Sequence, residues 1–231
     1  LNLSVNNFNC SKSLTHIGHS GKMLFMKKFL IILTLIFTLP TPSQADDIRD
    51  FQIEGMSIGD SLLDHVSKET ILSRKVFFGK GRKYINKEYS KYNFRPKELE
   101  SELYESTEVM FKSADPKYII MNIAGRKYFD DVKNCYKKQK EIESEFDSFF
   151  KNTKKIPRRI TTYSGDKTGK SKVTRIAYRF NDGSRVGIQC YKWSKEELKE
   201  NRNKHRLSIL IGTSEYIAWN VAWFKKFRET K

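Results

Sequence analysis

The sequence predicts an α+β domain built on an antiparallel or mixed sheet, with helices packed mainly on one face. Three observations lead there. Strand-like and helix-like stretches follow one another without the regular βαβ alternation of a parallel, doubly wound fold. Asp182-Gly183 sits between two runs of alternating apolar and polar residues, the strongest short-range hairpin signal. One long helical stretch carries a single apolar face, which needs a partner surface to cover it.

Taken in order, Phe51, Gln52, Ile53 and Glu54 alternate apolar with polar up to Gly55 and predict a short strand. Asp60 is placed to cap a helix starting near Ser61. A second short helix is expected over 70–75, and the Tyr- and Lys-rich stretch 82–94 reads as extended. Residues 103–112 and 117–129 are rich in β-branched and aromatic side chains and flank Ala114-Asp115-Pro116, so they predict antiparallel strands about a turn. Asp130 and Asp131 then suit the positive end of a helix whose far end has Lys151, Lys154 and Lys155. Val132, Cys135, Gln139, Ile142, Phe146 and Phe149 recur three or four apart, which gives that helix its buried face.

Residues 151–175 read as a basic connector. Ile176, Tyr178 and Phe180 alternate into the turn at 181–184, and the return strand places Val186, Ile188 and Cys190 on a dry side and Arg185, Gly187 and Gln189 on a wet one. A solvated helix over 194–204, a strand over 207–211 and a final helix capped by Ser214 complete the expectation.

Of 231 residues, 44 are Lys or Arg and 27 are Asp or Glu, a net charge of +17, with 38% hydrophobic and 13% aromatic residues. This balance excludes a disordered polar tail, a collagen-like repeat and a multi-pass membrane protein. Met26, Lys27 and Lys28 form a basic n-region, residues 29–39 an uncharged apolar run too short to span a bilayer comfortably, and Ser43-Gln44-Ala45 a cleavage site. Residues 1–25 are therefore expected to be a gene-start extension, 26–45 a signal peptide, and 46–231 a single domain, periplasmic or secreted. Without the four leader lysines the charge is +13 over 186 residues, a length that supports one full core.

The cysteines of the predicted mature chain are Cys135 and Cys190, both on core-facing positions of a chain expected where thiols are oxidised. A disulfide between them is expected; neither His65 nor His205 lies in a motif that would make one a catalytic thiol. Residues 165–171 (GDKTGKS) mimic a phosphate loop but have three residues between the glycines where the motif needs four, and a strand pattern follows where a helix is required. They read as an exposed turn. Two isolated histidines give no metal-ligand spacing, so no metal and no cofactor are expected. Glu54, Asp60 and Asp64 are acids that could meet near the first turn, although spacing alone does not pair them. The sharper signal is the basic run of Lys151, Lys154, Lys155, Arg158, Arg159, Lys167, Lys170, Lys172 and Arg175, set against the single acid Asp166. Such an excess attracts anions in a salt-dependent way. Trp219, Trp223, Phe224 and Phe227, interleaved with Lys225, Lys226 and Arg228, are read first as core packing and second as a peripheral membrane contact through 214–231.

The block DDIRDFQIEGMSIGDSLLD over 46–64, Asn134-Cys135-Tyr136-Lys137-Lys138, residues 166–172 and Cys190-Tyr191-Lys192-Trp193-Ser194 together resemble an uncharacterised family of small exported proteins from marine alphaproteobacteria. The resemblance covers most of the predicted mature chain. It implies an exported domain and carries over no activity or functional residue. The Gly55-Met56-Ser57 opening alone is also similar to small envelope domains that bind other proteins.

The reading that results is a non-enzymatic, monomeric binding or interaction module for an envelope protein or anionic ligand, with nucleic acid less favoured. The alternative is a hydrolase acting on an envelope polymer or phosphoester through carboxylates that meet only in the fold.

Overall fold

The computed structural model describes residues 47–79, 86–95, 98–99, 103–166, 168–202 and 204–229, without the side chains of Asn201 and of 227–229. The predicted leader, residues 82–85 of the extended stretch, and Lys167 lie outside the described residues.

Eight strands form one sheet: β1 (Val76–Phe78), β2 (Asn86–Phe94), β3 (Ser106–Lys112), β4 (Asn122–Phe129), β5 (Lys154–Thr162), β6 (Lys172–Arg179), β7 (Arg185–Lys192) and β8 (His205–Gly212). Their order is β1-β2-β3-β4-β8-β7-β6-β5, and every neighbouring pair is antiparallel. The sheet is thus two four-stranded meanders joined through their last strands, β4 and β8. Each meander follows a helix: α1 (Lys68–Arg74) precedes the first and α2 (Val132–Phe149) the second. Helix α2 carries the chain from the middle of the sheet to its far edge. A short helix α3 (Lys195–Glu197) runs on into a π-helical turn over Leu198–Arg202, and α4 (Ser214–Glu229) follows β8.

Period-two alternation assigns the faces. Tyr92, Val109, Phe111, Ile123, Ile176, Tyr178, Ile188, Cys190, Leu207 and Ile209 share one buried cluster with Cys135, Ile142 and Phe146 of α2, Ile71 of α1 and the apolar residues of 48–62. This is the front. Asp131 caps α2 by accepting from the Lys133 amide, and the buried residues Cys135, Gln139, Ile142 and Phe146 follow the predicted stripe. Gln139 is fully buried on that stripe, and its amide nitrogen donates to the carbonyls of Thr174 and Ile188 at 3.0 and 3.1 Å. The polar side chain is accommodated because both donor hydrogens are used.

The coarse α+β expectation holds, with the sheet as the larger part and its direction antiparallel. Helix placement is corrected: α4 lies on the back, where Tyr216 and Trp219 pack with Tyr89, Met110 and Phe78. Trp219 is 4.3 Å from the Tyr89 ring and 5.0 Å from Phe78, and Trp223 is 4.8 Å from Phe78. Trp219, Trp223 and Phe224 of the aromatic face proposed for a membrane therefore pack against Phe78 inside the fold, while the Phe227 side chain lies outside the described residues. Among the described residues no helix is long and apolar enough to cross a membrane.

Three local expectations also change. The stretch 51–54 is no strand, because Glu54 and Gly55 both have positive φ (54° and 73°) and close a tight turn that bridges Ile53 to Met56. Ser61, not Asp60, caps the following 3₁₀ turn, while the Asp60 carboxylate accepts from the Ser57 amide at 2.7 Å. At α4 the capping oxygen belongs to Thr213, which accepts from the Tyr216 amide at 3.1 Å.

Cys135 of α2 and Cys190 of β7 are joined, with Cα atoms 6.0 Å apart. The bond closes a loop with a sequence separation of 55, worth about 4 kcal/mol by loop-closure entropy. Replacing both cysteines by alanine is expected to lower unfolding free energy by about that amount in denaturant titrations. Equal stability, or alkylation of both thiols in the unreduced protein, would contradict the clamp.

Candidate functional site

The back of the second meander is the open part of the sheet. Strands β5 to β8 contain no Asp or Glu and ten Lys or Arg, so every charge they turn outward is positive. Register aligns these outward residues into rows that cross the strands. Arg126, Ser208, Gln189, Arg175 and Arg159 stand side by side on β4, β8, β7, β6 and β5. At about 4.8 Å per strand this row is about 19 Å long. The next row towards the Asp182-Gly183 turn is apolar: Ala124, Leu210, Gly187, Ala177 and Ile156. Beyond it lie Arg185, Arg179 and Lys154. On the other flank the row is Tyr128, Arg206, Tyr191, Val173 and Thr161.

Two walls limit this face. Helix α4 covers the back of β1 to β3. At one end Tyr191, Trp193 and Val173 pack with Tyr163 and with Leu198 of the α3 segment. The Arg206 guanidinium lies 3.9 Å from the Tyr191 ring centre, and Arg202 lies 4.9 Å from Trp193, arrangements in which a cation gains from the ring quadrupole without losing its charge. His205 is turned to the front, where its Nδ1 accepts from the Trp193 amide at 3.2 Å. Burial lowers its pKa and favours the neutral ring.

One acid borders the face. Glu108 of β3 binds Arg126 at 2.7 Å and Lys91 at 3.1 Å. Burial alone would raise its pKa, but the charges and hydrogen bonds of Arg126 and Lys91 outweigh burial and hold the carboxyl below the ordinary range. Arg159, Arg179, Arg185, Arg206 and Lys154 have no acidic partner among the described residues.

The predicted basic run does not form one patch. Lys154, Arg159 and Arg175 are on the open face. Lys155 and Arg158 point to α2, where Lys155 meets Glu143 and Asp147 at 2.9 and 2.7 Å and Arg158 meets Glu143 at 2.6 Å. Lys170 pairs with Glu196 at 2.8 Å, Lys172 donates to Thr162 at 2.8 Å, and Lys151 donates to the Asp147 carbonyl at 2.9 Å. Lys167 lies outside the described residues. The "connector" is itself the edge strand β5, and alternation along it separates neighbouring cations. Sequence reasoning left Arg126, Arg206 and Ser208 out of the site. Arg179, Arg185 and Gln189 carried a usable signal, since they alternate with the dry positions of the hairpin.

The phosphate-loop mimic is the β5–β6 turn. Asp166 there accepts from the Ser171 amide and from the Thr168 amide and hydroxyl at 2.7–2.8 Å, which holds its carboxyl well below the usual aspartate range. A cleft of about 420 Å³ lies elsewhere, lined by Asp47, Arg49, Ile58, Phe180, Asp182 and Thr213 among others. Its acids are committed: Asp47 to the Arg49 side chain and amide, Asp182 to the Ser184 amide and hydroxyl. Glu54, Asp60 and Asp64 do not line it. Among the described residues no group of three or more His, Cys, Asp or Glu could hold a metal ion. Comparison with protein-family models, with curated proteins and with solved structures finds no match to this chain.

Because the folded-state pKa of Glu108 is depressed, its stabilising contribution is fully present above the ordinary value of 4.5 and is lost as the pH falls through the lower folded value. Glu108→Gln is expected to cost about 3 kcal/mol at neutral pH, leaving Arg126 and Lys91 uncompensated. Thermal melts should also show a shallower loss of stability below pH 4.5 than the parent protein. An unchanged acid limb would contradict the assignment.

Proposed function

We propose that the chain is an exported, non-enzymatic binding module that holds an anionic ligand or the anionic surface of an envelope partner on the open back of β5 to β8. The observation that carries this reading is the arginine-lined, acid-free face. A group of unpaired cations on one rigid surface raises the local concentration of anions and favours their retention. Arginine rather than lysine predominates there, and its planar fork suits carboxylate or phosphate oxygens. The disulfide supports export, since such bonds persist where thiols are oxidised, and the predicted leader at 26–45 agrees with it. A hydrolase would need free carboxylates in a cleft, and those of the Asp47–Asp182 cleft are engaged in capping and turn contacts.

The test uses heparin as a polyanion probe. Arg159→Gln, Arg179→Gln and Arg185→Gln together should elute from a heparin column at clearly lower salt than the parent protein. Lys133→Gln, Lys137→Gln and Lys140→Gln, an equal charge loss on exposed positions of α2, should shift elution much less. Equal shifts, or no retention of the parent protein at low salt, would overturn the reading.

A further inference from the structure

Hydrogen bonding within the open face is one-sided. The Gln189 carbonyl oxygen accepts from the Tyr191 hydroxyl at 2.6 Å, which leaves the Gln189 amide nitrogen without a partner among the described residues. The Thr161 hydroxyl oxygen accepts from the Arg175 guanidinium. The Ser208 hydroxyl and the Arg206 Nε are shielded from solvent and have no partner, and Ser208 as a whole is only 2% exposed. Polar groups that lose water on folding nearly always find a replacement, because an unpaired one is destabilising. Here the unpaired groups are donors or can act as donors, and they lie on the adjacent strands β7 and β8.

Register brings these donors close together. Ser208 and Gln189 are direct cross-strand partners, Arg175 is the next residue in the row, and Arg206 lies two residues along β8 from Ser208 on the same face. A planar carboxylate is satisfied by one guanidinium fork. Donors converging from β6, β7 and β8 suit an anion with three or more acceptor oxygens arranged in three dimensions.

We propose that Arg175, Gln189, Arg206 and Ser208 form a binding site for a phosphoryl group, carried either by a lipid headgroup or by a soluble polyphosphate, which reaches the Ser208 hydroxyl and the Arg206 Nε by displacing the side chains that shield them. This rests on the anion-binding reading above and narrows it to a chemical class. The ligand supplies the acceptor oxygens that the face lacks, and the flanking arginines supply the charge. The neutral groups Ser208 and Gln189 then confer selection among anions, which charge alone does not.

The deciding variants keep the net charge constant. Ser208→Ala removes a buried hydroxyl that has no partner, so its thermal stability should be equal to or above that of the parent. In calorimetric titration with inorganic tripolyphosphate at low salt, the same variant should bind roughly tenfold more weakly, the loss of one hydrogen bond to a charged group. Arg206→Lys, which retains charge but loses Nε, should weaken binding comparably. Flotation with phosphatidylglycerol vesicles against phosphatidylcholine vesicles separates the sources. Vesicle binding reduced in both variants identifies a headgroup, and tripolyphosphate binding without flotation identifies a soluble ligand. The proposal is overturned if tripolyphosphate does not bind, or if both variants bind it as the parent does. Retention on heparin in either of those cases would leave the broader anion-binding reading standing, whereas its absence would remove both.

Discussion

The clamp of α2 on the front of the second meander is the constraint from which the rest follows. Cys135 is bonded to Cys190, Gln139 donates to two strand carbonyls, and Ile142 and Phe146 fill the space over Ile176, Tyr178 and Ile188. Once that face is sealed, strand geometry leaves no freedom. Every second residue of β6, β7 and β8 must point to the opposite side, and a shift of one residue would bury the arginines. The front therefore fixes the chemistry of the back: the apolar positions and both cysteines are used on one side, and Arg175, Arg179, Arg185, Gln189 and Arg206 are presented on the other.

Helix α4 then covers only the half of the back that can receive it. Phe78, Tyr89 and Met110 offer an aromatic and apolar bed to Tyr216 and Trp219, and Lys112 meets Glu215 at 2.5 Å at the helix start. The equivalent half over β5 to β8 has an apolar floor between rows of cations, with no acid from its own strands. Charge repulsion and desolvation would penalise covering that half with the Lys-rich end of α4. In the proposed function, the anion relieves both the repulsion among the arginines and the unpaired donors at Ser208 and Arg206.

Local patterns made the elements readable from the sequence. The α2 stripe, the Asp-Gly turn, the strands about Ala114-Asp115-Pro116 and the pairing of two core-facing cysteines all depend on neighbours within a few turns, or on one simple assumption about which faces meet. Two kinds of feature were not readable. Strand β5 has an irregular register between Ile156 and Arg159 and mostly exposed side chains, so its lysines and arginines hide the alternation that marks a strand. The insertion of β8 between β4 and β7 is a pairing across long sequence distances, and it alone brings Arg126 and Ser208 beside Gln189. The basic run was thus recognised by its composition, but its division between α2 and the open face required the sheet order.

Arginine-selective labelling with phenylglyoxal, read by mass spectrometry with and without tripolyphosphate, reports the face on which an anion sits. Arg175 and Arg206 are expected to be protected by the ligand while Arg49 beside the cleft and Arg158 on the α2 side keep their reactivity. Protection of Arg49 or Arg158 with Arg175 and Arg206 unchanged would contradict it.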